Sequence, residues 1–239
     1  MGLREGVLHA ICVPMNTNQQ EANVVRLRDF LKMKFPQAHE VRNTSFATFK
    51  TGIPCLDAAG LSVGGITEIT GEGVSCGAGL LIASLMEQRG AERAITALVD
   101  GADAFDPWSI RSEALERVLW VRCRDIQLAI KATDLLLRDG NATLVLLDLQ
   151  LYPARALQGL PSSVWHRLRV LAEKTGASLC VFTPCRTVGC ASSRLLLDHQ
   201  FTLEDQNTTR SVLTARLKAQ VDRQKNAGAW GNETLAKAN

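Results

Sequence analysis

The chain has 239 residues, a formal net charge of +3, 46% hydrophobic residues and 21% charged ones. That apolar share supports a packed core and excludes a disordered chain, and no apolar run reaches the roughly 18–20 residues that span a bilayer. A charge of +3 is too small to argue by itself for a nucleic-acid partner.

Residues 1–20 are polar and aperiodic, with Asn16, Thr17, Asn18, Gln19 and Gln20 together, and read as a loose arm. The short stretch from Gly6 to Met15 is broken by His9 and lacks a small-residue cleavage site, so it does not read as a signal peptide. Val24, Val25, Leu27, Leu31 and Phe35 then recur at helical spacing, and Pro36 ends that helix. The expected organisation is an arm over 1–20, a helix and linker over 21–44, a core over 45–221 and a flexible tail over 222–239. The seven cysteines (Cys12, Cys55, Cys76, Cys123, Cys180, Cys185 and Cys190) are odd in number and form no CxxC pair. That pattern predicts reduced thiols in a cytoplasm rather than a disulfide framework or a zinc site.

From about Thr51 the pattern alternates between strand and helix. Ile66–Thr70 alternates and runs into a glycine-rich turn, and Leu80–Arg89 is helical directly after it. Ala94–Asp100 reads as a strand, Ser109–Arg117 as a short helix and Leu119–Cys123 as a strand. Ile126–Arg138 is a long amphipathic helix closed by Asp139 and Gly140. Leu144–Leu149 is apolar enough to be a strand covered on both faces. Ser162 or Ser163 can cap a helix running to Gly176, and Ser178–Thr183 is the next buried strand. Phe201–Glu204 and Val212–Val221 read as late strands at the sheet edge. Alternation of this kind predicts an α/β fold, a mostly parallel sheet flanked by helices.

A strand, a glycine-rich turn and a helix N-terminus make the framework of a P-loop, where backbone N–H groups and the helix dipole face phosphates. The pattern needs G-x-x-x-x-G-K-[ST], with the Lys on the β/γ-phosphates and the hydroxyl on Mg²⁺. Here the turn runs Gly71-Glu-Gly-Val-Ser-Cys-Gly-Ala-Gly79. Ala78 stands where the Lys belongs and Gly79 where the Ser or Thr belongs. Counting back from Gly77 puts Glu72 at the first glycine. Gly71, Gly73, Gly77, Gly79 and the strand-end Asp148 are therefore the candidates for a degenerate nucleotide site. The plainer reading is a tight turn in which the glycines let the chain bend. Weak anion binding by the bare backbone is the alternative.

Several segments together resemble the core of the RecA ATPases. They are Thr51-Gly-Ile-Pro-Cys-Leu-Asp57 with Gly64-Gly-Ile-Thr-Glu-Ile-Thr-Gly71, then Leu98-Val-Asp-Gly-Ala-Asp-Ala-Phe-Asp-Pro107, then Leu144-Val-Leu-Leu-Asp148, which resembles the Walker B strand, then Ser178–Thr183. The likeness covers about residues 45–205 and implies a RecA-like P-loop NTPase core with a degenerate Walker A turn. Against that pattern the phosphate Lys aligns with Ala78, the catalytic Glu with Ala102, and the γ-phosphate-sensing Gln falls near Pro184. Loss of all three implies loss of hydrolysis, because phosphoryl transfer depends on positioning and charge stabilisation. The chain is more closely similar to the ImuA family, a degenerate RecA-like subgroup. That likeness is carried by Pro36-Gln-Ala-His39, Ser84-Leu-Met86, Ala114–Cys123, Asp134–Asn141 and Trp165-His-Arg-Leu-Arg169.

The resemblance implies a non-enzymatic accessory protein of the bacterial cytoplasm, acting in the SOS response to DNA damage, in mutagenesis and translesion synthesis. Its implied partners are an inactive Y-family polymerase homologue and an error-prone replicative polymerase, with RecA and DNA as further candidates and no membrane. No cofactor is expected, ATP being the one weighed against. Arg186 and Arg194 flank the place where the RecA fold keeps a DNA-binding loop, and Arg216, Lys218 and Arg223 form a basic run, so these five are the candidates for DNA or partner contact. Asp106 matches a nucleotide-contacting position, but before Pro107 it reads better as a helix N-cap. Trp120 and Trp165 read as core, and Trp230 as an exposed tail aromatic. Two other functions fit the same core, an ATP-dependent RecA-like recombinase and a SulA-like division inhibitor. Ala78 speaks against the first, while the chain's length and the retained Asp148 strand fit the mutagenesis reading better than the second.

Overall fold

The computed structural model describes residues 48–71, 73 and 75–224, together with Arg26, Asp29, Phe30, Met33 and Lys34. The chain divides into two units, Met1–Asn43 and Thr44–Asn239. In the first, the five described residues are helical, as the spacing predicts, and the Lys34 ammonium lies 5.8 Å from the Phe30 ring centre. The 1–20 arm, Pro36 and Trp230 lie outside the described residues.

The second unit opens with a two-stranded antiparallel ribbon, β1 (Thr48–Phe49) and β2 (Leu61–Ser62), around α1 (Pro54–Ala59). Here the T-G-x-x-x-L-D segment has a structural use. Asp57 Oδ1 accepts from the Thr51 amide at 2.6 Å and its hydroxyl at 2.8 Å, and Oδ2 accepts from the Gly52 amide at 3.1 Å. The carboxylate thus pins the turn that leads into α1.

Strand and helix then alternate. They are β3 (Ile66–Gly71), α2 (Ala78–Ala91), β4 (Thr96–Asp100), a 3₁₀ turn (Pro107–Ser109), α3 (Ser112–Leu115), β5 (Val118–Arg122), α4 (Ile126–Asp139), β6 (Leu144–Asp148), α5 (Ala154–Gln158), α6 (Ser162–Thr175), β7 (Ser178–Thr183) and β8 (Ser193–Leu197). A second 3₁₀ turn (Leu203–Asn207), α7 (Arg210–Arg216) and β9 (Ala219–Gln224) follow. One sheet of seven strands has the order β5-β4-β6-β7-β3-β8-β9, parallel except for β8 against β9. This is an α/β fold with a mostly parallel sheet flanked by helices, compatible with a RecA-like core.

The sheet separates two apolar clusters. On one face Leu81, Ile82, Leu85 and Met86 of α2 meet Ile69, Leu98, Leu146 and Phe182. On the other, Ala129, Ile130 and Leu137 of α4 and Trp165 and Leu168 of α6 meet Val99, Val145, Leu147 and Val181. Alternate residues of one strand feed opposite faces, so β3, β4 and β7 are buried throughout. Trp165 is in the core as expected, whereas Trp120 is half-buried, edge-on to Phe105 at 5.3 Å. Asp125 caps α4 by accepting from the Leu128 amide, and left-handed Gly140 closes it.

Four stretches differ from the sequence reading. β8 occupies a stretch to which the sequence reading gives no element. Phe201–Glu204 is not a strand, and the 3₁₀ turn begins at Leu203. Residues 212–216 are helical because α7 docks on α2, with the Ser84 and Thr214 hydroxyls 3.1 Å apart and Arg210 on Glu87 at 3.1 Å. Only Ala219–Gln224 is strand, zipped to β8. The helix expected over Ser109–Arg117 is split, since Ile110 is extended between the 3₁₀ turn and α3. Among the described residues no helix is long and apolar enough to cross a membrane.

Candidate functional site

The C-terminal ends of the parallel strands bring Gly71 of β3, Asp100 of β4 and Asp148 of β6 to one rim of the sheet. The crevice outside these ends is where open α/β sheets bind ligands, and the glycine-rich turn lies on it. Gly71 and Cys76 are packed together. A Cβ placed on Gly71 would stand 2.6 Å from Cys76 Sγ. The Gln150 side chain donates from Nε2 to the Gly71 carbonyl at 2.8 Å, tying the loop after β6 to the start of the turn. Gly77 has φ +91, a conformation that glycine adopts without strain.

The turn is covered by the chain's own later segment. The Phe201 amide donates to the Ser75 carbonyl at 3.0 Å. A Cβ on Gly77 would meet Leu217 Cδ2 at 2.6 Å and Phe201 Cε2 at 2.8 Å. His199 packs edge-on to Phe201 at 4.4 Å, and Asp205 holds Thr202 through its amide at 2.8 Å. Between the turn and this cover runs an open groove of about 540 Å³, lined by Ser75, Gly77, Gly79, Leu80, Phe201 and Leu203 among others.

The acids of the rim are committed. Asp100 accepts from the Ala104 amide at 3.0 Å, the Phe105 amide at 2.9 Å and the Trp120 indole at 3.3 Å. Asp106 accepts from the Trp108 amide at 3.1 Å, so it caps the turn that Pro107 opens. Asp148 accepts from the Gln150 amide at 3.0 Å. Burial pushes its carboxyl up to about 6, the Asp100 charge adds to the rise, and the Gln150 N–H opposes it. Burial likewise raises the Cys76 thiol. These residues fit a Mg²⁺–triphosphate poorly. Position 78 offers no cation, position 79 no hydroxyl, and the one candidate Mg²⁺ carboxylate gives up its proton late.

The other candidates divide. Arg194 is only 8% exposed. Its Nε donates to Glu68 Oε2 at 2.6 Å and its Nη2 to the Val188 carbonyl at 3.0 Å, while Nη1 lies 3.6 Å from Asp222. Glu68, fully buried on β3, also accepts from the Thr183 hydroxyl at 3.2 Å and from the Thr187 and Val188 amides at 2.6 and 2.9 Å. Arg194 is therefore a strut that shapes the loop between β7 and β8. Arg186 sits on the surface of that loop, paired with Asp222 at 2.6 Å. Arg216 is exposed and paired with Asp205 at 3.0 Å. Lys218 is exposed, and Arg223 lies on β9 opposite Arg194. Arg186 and Arg194 are thus brought together through Asp222, while Arg216 belongs to the cover over the turn.

Sequence reasoning missed Glu68, Gln150, Phe201 and Leu217. Glu68 had a signal, an acid inside an otherwise uncharged central strand. The others act over long sequence separations that leave no local pattern. It also passed over Trp108, which is 95% exposed on a turn fixed by Asp106. No protein-family model matches the sequence, and no curated protein is significantly similar to it.

Proposed function

We propose that this chain is a non-catalytic RecA-like accessory protein that works by binding other proteins, in the damage-induced mutagenesis and translesion synthesis implied by its likeness to the ImuA family. The observation that carries the non-catalytic reading is the seating of Phe201 and Leu217 on Gly77, at the turn where the parent chemistry would hold phosphates. A turn without a Lys at position 78 or a hydroxyl at position 79, packed under the chain's own side chains, serves better as a rigid support than as a reaction centre. The sheet order, with its antiparallel last strand, supports the RecA-like assignment. Function lives in sites rather than folds, so the partner assignment rests on the resemblance.

Co-expression with a catalytically inactive Y-family polymerase homologue tests it. The expected result is co-elution of the two chains in size-exclusion chromatography, unchanged when nucleotide is omitted. Separate elution together with steady ATP hydrolysis by the purified chain overturns the proposal and favours the recombinase-like ATPase.

A further inference from the structure

The loop between β4 and α3 is built more firmly than a plain connection needs. Asp100, at the end of β4, accepts from the Ala104 and Phe105 amides. The Gly101 amide donates to the Asp148 carbonyl at 3.0 Å, and its carbonyl accepts from the Tyr152 hydroxyl at 2.6 Å. Asp103, left-handed at φ +54, accepts from both Nε and Nη2 of Arg122. The turn at Pro107 closes on Asp106. Its side chain accepts from the Trp108 amide, and its carbonyl accepts from the Ser109 hydroxyl at 2.7 Å and the Ser109 amide at 3.2 Å. Before the turn Phe105 packs edge-on to Trp120, and after it Ile110 is buried in the α2 cluster. The Arg111 amide then donates to Glu87 of α2 at 3.3 Å.

This frame holds up the Trp108 side chain, which is 95% exposed. Trp165 is in the core and Trp120 is half-buried, so Trp108 alone of the three described tryptophans forgoes burial of its large apolar area. A side chain that merely happens to face water needs no such scaffold. A ring on a fixed turn is preorganised and loses little freedom on binding, and tryptophan is among the residues most enriched at the energetic centres of interfaces.

The charges nearby fit a protein better than a nucleic acid. The arginines that tie this loop already sit on carboxylates. Arg122 is on Asp103, while Arg111 and Arg210 lie 3.7 and 3.1 Å from Glu87. Asp106 adds an acid two residues from the ring. A phosphate backbone is drawn by cations in excess, whereas an apolar ring beside balanced charges has the anatomy of a protein–protein contact, an apolar centre with a polar rim. The geometry points to Trp108 as the anchor by which this chain holds its protein partner, with the indole seated in an apolar pocket of that partner and Asp106 and Arg111 at the rim. The inference rests on the protein-binding reading above and names the surface that serves it.

Calorimetric titration of the full chain with the purified inactive Y-family polymerase homologue tests it. Trp108→Ala should weaken binding by about thirtyfold or more, the loss typical of a hot-spot residue. Trp108→Phe, which keeps a ring, should lose less. Circular dichroism and thermal unfolding should stay unchanged in both variants, because the side chain is exposed in the free chain. A Trp108→Ala chain that binds as tightly as wild type overturns this inference and leaves the proposed function standing. Absence of any complex with wild type overturns the proposed function and this inference with it. Two fluorescence measurements on the free chain, each taken as the difference between wild type and Trp108→Ala, complete the test. The Trp108 emission should be open to acrylamide, and shielding of it would overturn the inference by showing that another segment of the chain covers the ring. Single-stranded oligo(dT) should leave that emission unchanged, and quenching by it would overturn the inference in favour of a base-stacking platform.

Discussion

Asp148 shows what burial does to a single acid. Its folded carboxyl is raised to about 6, so the folded protein keeps that proton at pH values where the unfolded chain has lost it. Where the native state binds more protons, stability falls as pH rises. The loss runs from about pH 4 to about pH 6 and is complete above that. A shift of this size sets a ceiling of about 3 kcal/mol on the effect, at 1.36 kcal/mol per pH unit. Asp148→Asn keeps an oxygen for the Gln150 amide and removes the ionisation. It should leave stability unchanged at pH 3 and raise it by up to about 3 kcal/mol at pH 7. Urea unfolding of both proteins at the two pH values checks this. A variant no more stable at pH 7 than at pH 3, relative to wild type, would show that the carboxyl is ionised without cost. Surface acids such as Asp205, held low by the Thr202 amide, titrate alike in both proteins and cancel from the difference.

Among elements, the tie between β3, β8, β9 and the loop joining β7 to β8 runs through one buried pair. Glu68 accepts four hydrogen bonds and Arg194 reaches on to Asp222 of β9. Removing one charge leaves the other buried with its strongest partner lost. Glu68→Gln should therefore cost about 3–5 kcal/mol, whereas Glu68→Met with Arg194→Leu, which removes both charges, should cost clearly less. Chemical denaturation of the three proteins decides it, and equal losses in the single and double variants would mean that loop anchoring, not charge, is what Glu68 supplies. Most of the elements that build this sheet were legible in the sequence. Ser178–Thr183 is found as expected, and β3, β4, β6, α4 and α6 lie within two residues or so of their apolar periodicity. β8 was not, because Ser-Arg-Leu-Leu-Leu is a short run without alternation, and its burial depends on pairing with strands far away in the chain. α7 was read as strand from Val212 and Leu213, and its docking on α2 overrides that local preference. At the candidate site the glycine turn and the missing Lys were visible from the start, as was the cap at Asp106. The cover formed by Phe201 and Leu217 was not visible, since it joins residues 77, 201 and 217.

For the whole molecule, the two apolar clusters share one sheet, so loss of either face exposes the other, and the 44–239 unit should unfold as one cooperative body. Cooperativity makes unfolding temperature a sensitive reporter of any ligand that binds the folded state. A ligand present at a thousand times its Kd adds about 4 kcal/mol of stability. For a domain of this size each kcal/mol moves Tm by about 2–4 °C, so micromolar affinity for ATP would appear at millimolar ATP as a shift on the order of ten degrees. The turn at residues 71–79 offers an uncapped helix start and no side-chain cation, and Phe201 and Leu217 would have to move before Gly77 could approach a phosphate. Both terms reduce affinity, the first by removing the strongest contact and the second by adding a cost of opening. ATP with Mg²⁺ at millimolar concentration should therefore leave Tm unchanged in a scanning fluorimetry or calorimetry experiment, with inorganic phosphate as the control for bare-backbone anion binding. A shift of several degrees with ATP and none with phosphate would mean that the cover opens and that the base and ribose supply the missing affinity. The segment over the turn would then act as a nucleotide-controlled lid rather than a fixed part of the fold.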